Sequence, residues 1–254
     1  MEFFQSDGVD IAYEVQGQGP PVLLIHGFAS NTRVNWDSTG WIRTLVAAGH
    51  QVITFDNRGH GESEKLYDPD DYSATEMAED ARRLLDHLAI DAADVMGYSM
   101  GARLTALLAI RHPGRVRRAV LAGLAANMIL GLGGSETISR GLEAESLVDV
   151  HDPTARAFRS FAEQTRSDLK ALAACMRSAR QIVTPEELAR IRAPVLVVAG
   201  GADETAGPVE PLVAAIPGGR GLTLPGRDHM KAVGDRNYKE AVVEFFDPKT
   251  FAST

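Results

Sequence analysis

The sequence predicts an α/β fold: a mostly parallel, eight-stranded sheet flanked by helices, with a helical cap inserted in the second half of the chain. Three observations predict it. Short apolar runs recur along the chain and are continuous rather than alternating, as strands buried on both faces should be. Helical patterns lie between them, and strands alternating with helices imply parallel pairing covered on both sides. One stretch, from Gly123 to Pro194, holds no convincing strand and reads as helical.

The elements follow in order. Glu2 to Ser6 and Ile11 to Val15 join through Asp7-Gly8 and read as a hairpin at the sheet edge. Val22-Leu23-Leu24-Ile25 is the first fully apolar strand. Trp41 to Ala48 reads as a helix stopped by Gly49, and Val52-Ile53-Thr54-Phe55 as the next strand. Ser73-Ala74-Thr75-Glu76 is a capping box, with Met77, Ala81, Leu84, Leu85 and Leu88 following at helical spacing. Val95-Met96 and Ala119-Val120-Leu121 are strands around a helix from Met100 to Arg111. In the inserted region, Gly131 to Gly134 reads as flexible. Asp152-Pro153 opens a helix through Phe158 and Phe161, a second follows Ser167, and a third starts at Thr184-Pro185-Glu186-Glu187. Val195 to Val198, a helix from Glu210 to Ile216, Gly221 to Leu224 and a helix from Tyr238 to Phe246 complete the chain.

Composition narrows the function. The 254 residues suffice for one large domain, or one domain with an insertion. Thirty-four acidic side chains against 26 basic ones give a formal charge of -8, which speaks against nucleic acid or an anionic membrane as main partner. The single cysteine, Cys175, permits no internal disulfide. Met1 to Gln5 lacks a basic segment followed by an apolar run, and no apolar stretch approaches bilayer-spanning length, so a cytoplasmic location is expected.

In a parallel sheet, ligands bind outside the carboxyl ends of the strands. Four places there carry chemistry. Ser99 lies in Gly97-Tyr98-Ser99-Met100-Gly101, between a strand and a helix. It reads as a nucleophile on a sharp turn or as a helix N-cap serine. A serine nucleophile needs a base. His229, in Pro225-Gly226-Arg227-Asp228-His229-Met230, is a loop histidine after the last strand and the expected base. His50, His87, His112 and His151 read as surface residues. Asp203 follows the strongest strand, where an acid could orient an imidazole; the other reading is a turn aspartate after glycines. Asp228 competes as the acid by adjacency, but neighbouring side chains in an extended loop point apart. Lastly, the strand ending at Ile25-His26 turns at Gly27, where the Phe28 amide, with that of Met100, could donate to an oxyanion. His26 reads as a support for that turn.

The order Ser99, Asp203, His229, with the His26-Gly27 turn and the Gly97-to-Gly101 elbow, resembles the α/β-hydrolase family. So does Asp56-Asn57-Arg58-Gly59-His60-Gly61-Glu62-Ser63, a stretch this family often carries as D-x-R-G-x-G-x-S and one that reads as a structural loop. The resemblance spans nearly the whole chain. It implies a catalytic triad of Ser99, Asp203 and His229, an oxyanion hole at Phe28 and Met100, a core of residues 1–123 and 194–254, and a lid of residues 124–193. Haloalkane dehalogenases and epoxide hydrolases of this fold place an aspartate where Ser99 stands, so those activities are not expected. No nucleotide or dinucleotide motif and no metal-ligand spacing occurs, so no cofactor and no metal are expected.

The expected function is a serine carboxylesterase acting on a small, fairly apolar ester. C–C bond hydrolases, lactonases and perhydrolases keep the same triad, and some relatives of this fold act as small-molecule receptors. Met128, Ile129 and Leu132, with Leu130, either line an apolar pocket or pack the cap onto the sheet.

Overall fold

A computed structural model of the chain describes residues 1–131, 133–178 and 181–247. Strands β1 (Glu2–Ser6) and β2 (Val9–Gln16) form the expected antiparallel hairpin, turned by Asp7 and Gly8 at φ 50° and 85°. Next come β3 (Pro21–Ile25), a π-helical turn over Arg33–Asp37, α1 (Trp41–Ala47), β4 (Gln51–Phe55), a 3-10 turn over Pro69–Tyr72 and α2 (Ala74–His87). Then β5 (Ala93–Tyr98), α3 (Met100–Arg111) and β6 (Val116–Ala122) follow. Between β6 and the next strand, the described residues hold α4 (Ala126–Leu130), α5 (Ser135–Glu143), a 3-10 turn over Leu147–Asp149, α6 (Pro153–Gln164), α7 (Leu169–Ser178) and α8 (Pro185–Leu188). The chain closes with β7 (Val195–Gly200), α9 (Glu210–Ala215), β8 (Arg220–Leu224), α10 (His229–Ala232) and α11 (Arg236–Phe246).

The strands form one eight-stranded sheet in the order β1-β2-β4-β3-β5-β6-β7-β8. Strand β2 runs antiparallel to both its neighbours, β1 and β4; the remaining pairs are parallel. The order reverses at β3, because the chain goes first to β4 on one side and then to β5 on the other. That switch point opens a crevice between the carboxyl ends of β3 and β5. Gly27 and Ser99 follow those two ends.

The continuous apolar runs have a simple origin. Leu23, Ile25, Val95, Leu121 and Val197 pack into one large cluster with α2 and α3. Their neighbours Val22, Leu24, Met96, Val120 and Val198 pack into a second cluster with α1 and α11. Side chains alternate across the sheet, and both faces are covered. In the inserted region, α5, α6 and α7 enclose a separate cluster that includes Ile138, Leu142, Ala162, Leu172 and Met176. Helices α4 and α8 pack instead on the main core through Met128 and Leu188. Among the described residues, no helix is long and apolar enough to cross a membrane.

Several readings need correction. His50 is buried, 5% exposed, with its Nδ1 3.3 Å from the Pro20 carbonyl oxygen, rather than a surface residue. Helix α5 begins directly after Gly134, past the Gly131-to-Gly134 stretch, in a segment for which the sequence indicated no particular helix. Helix α4 has five residues, too few to set up a helical period. Met128 on it is fully buried in the main core, which accords with packing. Met128→Ala is therefore expected to lower stability by about 2–5 kcal/mol, read from urea unfolding, as for other large-to-small changes in close-packed interiors. A loss under 1 kcal/mol, on the order of a surface substitution, would mean that the site is loosely packed.

Candidate active site

Strand β5 ends at Tyr98 and α3 begins at Met100, so the whole change of direction falls on Ser99. Its φ of 55° and ψ of -114° lie outside the regions that ordinary side chains adopt. The neighbours must be glycine. A Cβ on Gly97 would sit 2.0 Å from the Gly101 carbonyl oxygen, and one on Gly101 would sit 1.9 Å from that of Ile25. The Ser99 amide is tied to the Ala122 carbonyl at 2.7 Å. Although Ser99 occupies the N-cap position of α3, its side chain makes no capping hydrogen bond. The strained turn thus holds a half-buried hydroxyl without using it for the helix.

Asp203 and His229 come together as expected. The imidazole Nδ1 lies 2.9 Å from Asp203 Oδ2. The carboxylate is fully shielded, whereas the imidazole side chain is 25% exposed. The second carboxylate oxygen, Oδ1, accepts from the Ala206 amide at 2.9 Å, so both Asp203 oxygens are oriented. The loops carrying the pair are lashed together. Gly201 N–H donates to Leu224 at 2.8 Å and Ala202 N–H to Arg227 at 3.0 Å. Gly200 permits this approach, since a Cβ there would meet the Arg227 carbonyl oxygen at 2.0 Å.

His229 is not in an extended loop, as the sequence suggested; it opens α10. Asp228 caps that helix, accepting from the Lys231 amide at 2.8 Å and facing Lys231 Nζ at 2.9 Å. The Lys231 ammonium and amide hold its carboxyl below the usual carboxylate range. Asp228 is therefore committed to its own helix.

The turn after β3 presents the other side of the crevice. A Cβ on Gly27 would lie 3.3 Å from Ser99 Cβ, so the turn rests on the elbow. Gly27 N–H is used by Asn35 Oδ1 at 3.0 Å. Among the described residues, the Phe28 and Met100 amides donate to no protein acceptor. Behind them His26 is buried, its Nδ1 at 2.8 Å from the Gly27 carbonyl and its Nε2 accepting from the Asn57 amide at 2.9 Å. That pattern requires the neutral ring protonated on Nδ1, and burial lowers its pKa. His26 thus braces the turn.

The Asp56-to-Ser63 stretch is also structural. Asp56 accepts from the Thr32 and Glu62 amides, both at 2.8 Å. Arg58 makes two 2.8 Å bonds to buried Asp80. His60 is fully buried, with its ring 5.4 Å from that of His26, and burial pushes its pKa down to about 3. The sign of the consequence follows. An unfolded histidine binds a proton below about 6.5, while folded His60 stays neutral, so acid favours the unfolded chain. Stability is expected to fall from pH 7 to pH 5, at up to about 1.4 kcal/mol per pH unit for such a group once below its unfolded pKa. Urea midpoints at the two pH values check this, and His60→Phe should flatten the dependence. An equal slope in the variant would assign it to other groups.

The cap reaches the same turn. The Phe158 ring stands 5.8 Å from that of Phe28, and Thr165 Oγ1 donates to the Ala29 carbonyl at 2.9 Å. Sequence reasoning missed both residues, because nothing local marks a contact made across the fold. It also passed over Tyr98, inside the elbow motif itself, whose ring lies 5.3 Å from the His229 imidazole. Of the expected substrate-binding residues, Met128 is buried and Ile129 packs on the cluster that also holds Met100 and Phe28. Leu132 lies outside the described residues. Among the described residues, no group of three His, Cys, Asp or Glu side chains could hold a metal ion.

Fold and site together define a class, and comparison with known proteins agrees. Residues 20–181 match the family model of the alpha/beta hydrolase fold. The chain belongs to the α/β-hydrolase fold family. It is 38% identical over 116 residues to the non-heme chloroperoxidase CPO-A1 of Kitasatospora aureofaciens, covering 45% of this chain and 40% of that protein. It is 40% identical over 128 residues to a 2-hydroxymuconate semialdehyde hydrolase of Pseudomonas putida, covering 50% and 42%. These matches span less than half the length of the two curated relatives. In structure, a hydrolase from Pseudomonas aeruginosa PA01 superimposes with a TM-score of 0.80 at 28% identity, covering 97% of this chain and 98% of that one.

Proposed function

We propose that the protein is a serine hydrolase that cleaves carboxylic esters of small, fairly apolar substrates through an acyl-enzyme. The observation that carries this reading is the His229–Asp203 contact of 2.9 Å, with the imidazole 5.3 Å, ring to ring, from Tyr98, the chain neighbour of the strained, uncapped Ser99. In this reading Ser99 Oγ attacks the ester carbonyl and His229 Nε2 takes its proton. Asp203 holds the opposite ring nitrogen and stabilises the imidazolium. The Phe28 and Met100 amides receive the developing oxyanion, each donor being worth on the order of 3 kcal/mol of barrier. His229 then protonates the departing alcohol, and a water deprotonated by the same imidazole releases the acid. Every step uses side chains or amides of this chain, and no metal or cofactor enters. Helices α5 to α7 serve as the lid over the site.

A second reading draws on the relatives. The similarity to a 2-hydroxymuconate semialdehyde hydrolase supports C–C bond hydrolysis, and that to a chloroperoxidase supports reaction of the acyl-enzyme with hydrogen peroxide to give a peracid. Lactone opening uses the same acyl chemistry. Multiple-turnover kinetics on a panel of p-nitrophenyl esters, lactones and vinylogous diketones, with and without peroxide, tests the choice. Sustained turnover of short esters is the expected result. A single burst without turnover would favour a receptor and overturn the esterase reading.

A further inference from the structure

We propose that Tyr98 is a positioning residue that sets the direction of the His229 imidazole toward Ser99; this rests on the hydrolase reading of the site. Tyr98 precedes the nucleophile in the chain, so its backbone is part of the elbow. Its side chain turns the other way, into the cluster beneath α10 that also holds Ala232 and Tyr238. From there the hydroxyl donates to the His229 carbonyl oxygen at 2.5 Å. The ring lies 5.3 Å from the imidazole at an interplanar angle of 45°. One buried side chain thus holds the base by its backbone and flanks its ring.

Three further observations fit a built contact. Helix α10 has only four residues, so its own hydrogen bonds do little to fix where His229 starts. The position under the ring is reserved: a Cβ on Gly123 would lie 2.7 Å from Tyr98 Cζ. Burial, with the carboxylates of Asp203 and Asp228 nearby, raises the Tyr98 pKa well above the usual phenol range, so the hydroxyl remains a donor wherever His229 can act as a base. Asp203 fixes one ring nitrogen of His229, and Tyr98 fixes the backbone from which the ring hangs. The elbow therefore carries both the nucleophile and the brace for its base. A small change in their relative placement has a large effect on rate, because a misplacement of about 1 Å can cost on the order of 100-fold.

The test removes one oxygen atom in the full-length chain. Tyr98→Phe keeps the ring and loses the donor. It is expected to lower kcat on p-nitrophenyl butyrate by about tenfold or more, with KM within about twofold, and to slow fluorophosphonate labelling of Ser99 in parallel. Tyr238→Phe is the matched control. Tyr238 lies in the same cluster and is fully buried, but among the described residues its hydroxyl has no hydrogen-bond partner. It is expected to retain wild-type kcat. Equal losses in the two variants would show general loosening of the cluster and overturn the proposal. Wild-type kcat in Tyr98→Phe, with labelling still on Ser99, would overturn the positioning role alone. Turnover that survives in Ser99→Ala would overturn the hydrolase reading of this site and the Tyr98 role with it.

Discussion

Ser99→Ala is expected to abolish covalent labelling by a fluorophosphonate and to cut ester turnover by several orders of magnitude, about 10⁶-fold where a triad serine has been removed in a comparable enzyme. The variant is informative because it changes little else. Alanine keeps the Cβ that the turn already accommodates at φ 55°, and the hydroxyl caps no helix, so folding should be unaffected. A serine that merely capped α3 would instead lose about 1 kcal/mol of stability on truncation, with no effect on chemistry. Intact-mass detection of the phosphonate adduct, circular dichroism and turnover on p-nitrophenyl butyrate separate the two outcomes. Adduct on a different serine, or turnover within tenfold of wild type, would overturn Ser99 as the nucleophile.

Asp203→Asn is expected to lose at least a hundredfold in turnover, and Asp228→Asn less than tenfold. The structure gives the reason for the ranking. Asp203 faces His229 Nδ1 from a shielded position, its other oxygen held by the Ala206 amide. An amide there would favour the wrong imidazole tautomer and leave the imidazolium unsupported, a loss of about 10⁴-fold in a comparable triad. Asp228 spends its carboxylate on the Lys231 amide and side chain. Asparagine remains a good N-cap, so α10 should persist. Both variants are to be assayed on the same ester after their circular dichroism has been matched to wild type. The reverse ranking would move the acid to Asp228.

Much of the fold was legible because its signals are local. Val22 to Ile25 and Val195 to Val198 are apolar at every position, and their shortness and β-branched residues mark them as strands covered on both faces. Ser73 to Glu76 announces a helix start by its own hydrogen-bonding chemistry, and Ser73 Oγ does accept from the Glu76 amide at 3.1 Å. The elbow glycines were legible for a related reason, since few other roles call for that spacing around a serine. Helices α4 and α10 were not, because elements of five and four residues are too short to establish a period. The burial of His50 was missed because a histidine after a helix-ending glycine looks solvated. Its packing against Phe246, with ring centroids 6.2 Å apart, involves a residue from the far end of the chain.

By itself the sequence determined the class of fold, the eight strands, and the candidates Ser99, Asp203 and His229 at strand ends, because periodicity, capping and turn chemistry act between residues close in the chain. Tertiary structure decided what those candidates touch. It placed Asp203 rather than Asp228 on His229, left the Ser99 hydroxyl uncapped, buried Met128 in the core, and set the Tyr98 hydroxyl against the His229 backbone across 131 positions of sequence. The physical reason is that a catalytic contact depends on two side chains meeting within about 3 Å. That distance is set by the order in which the strands pair and by the loops that the sheet brings together.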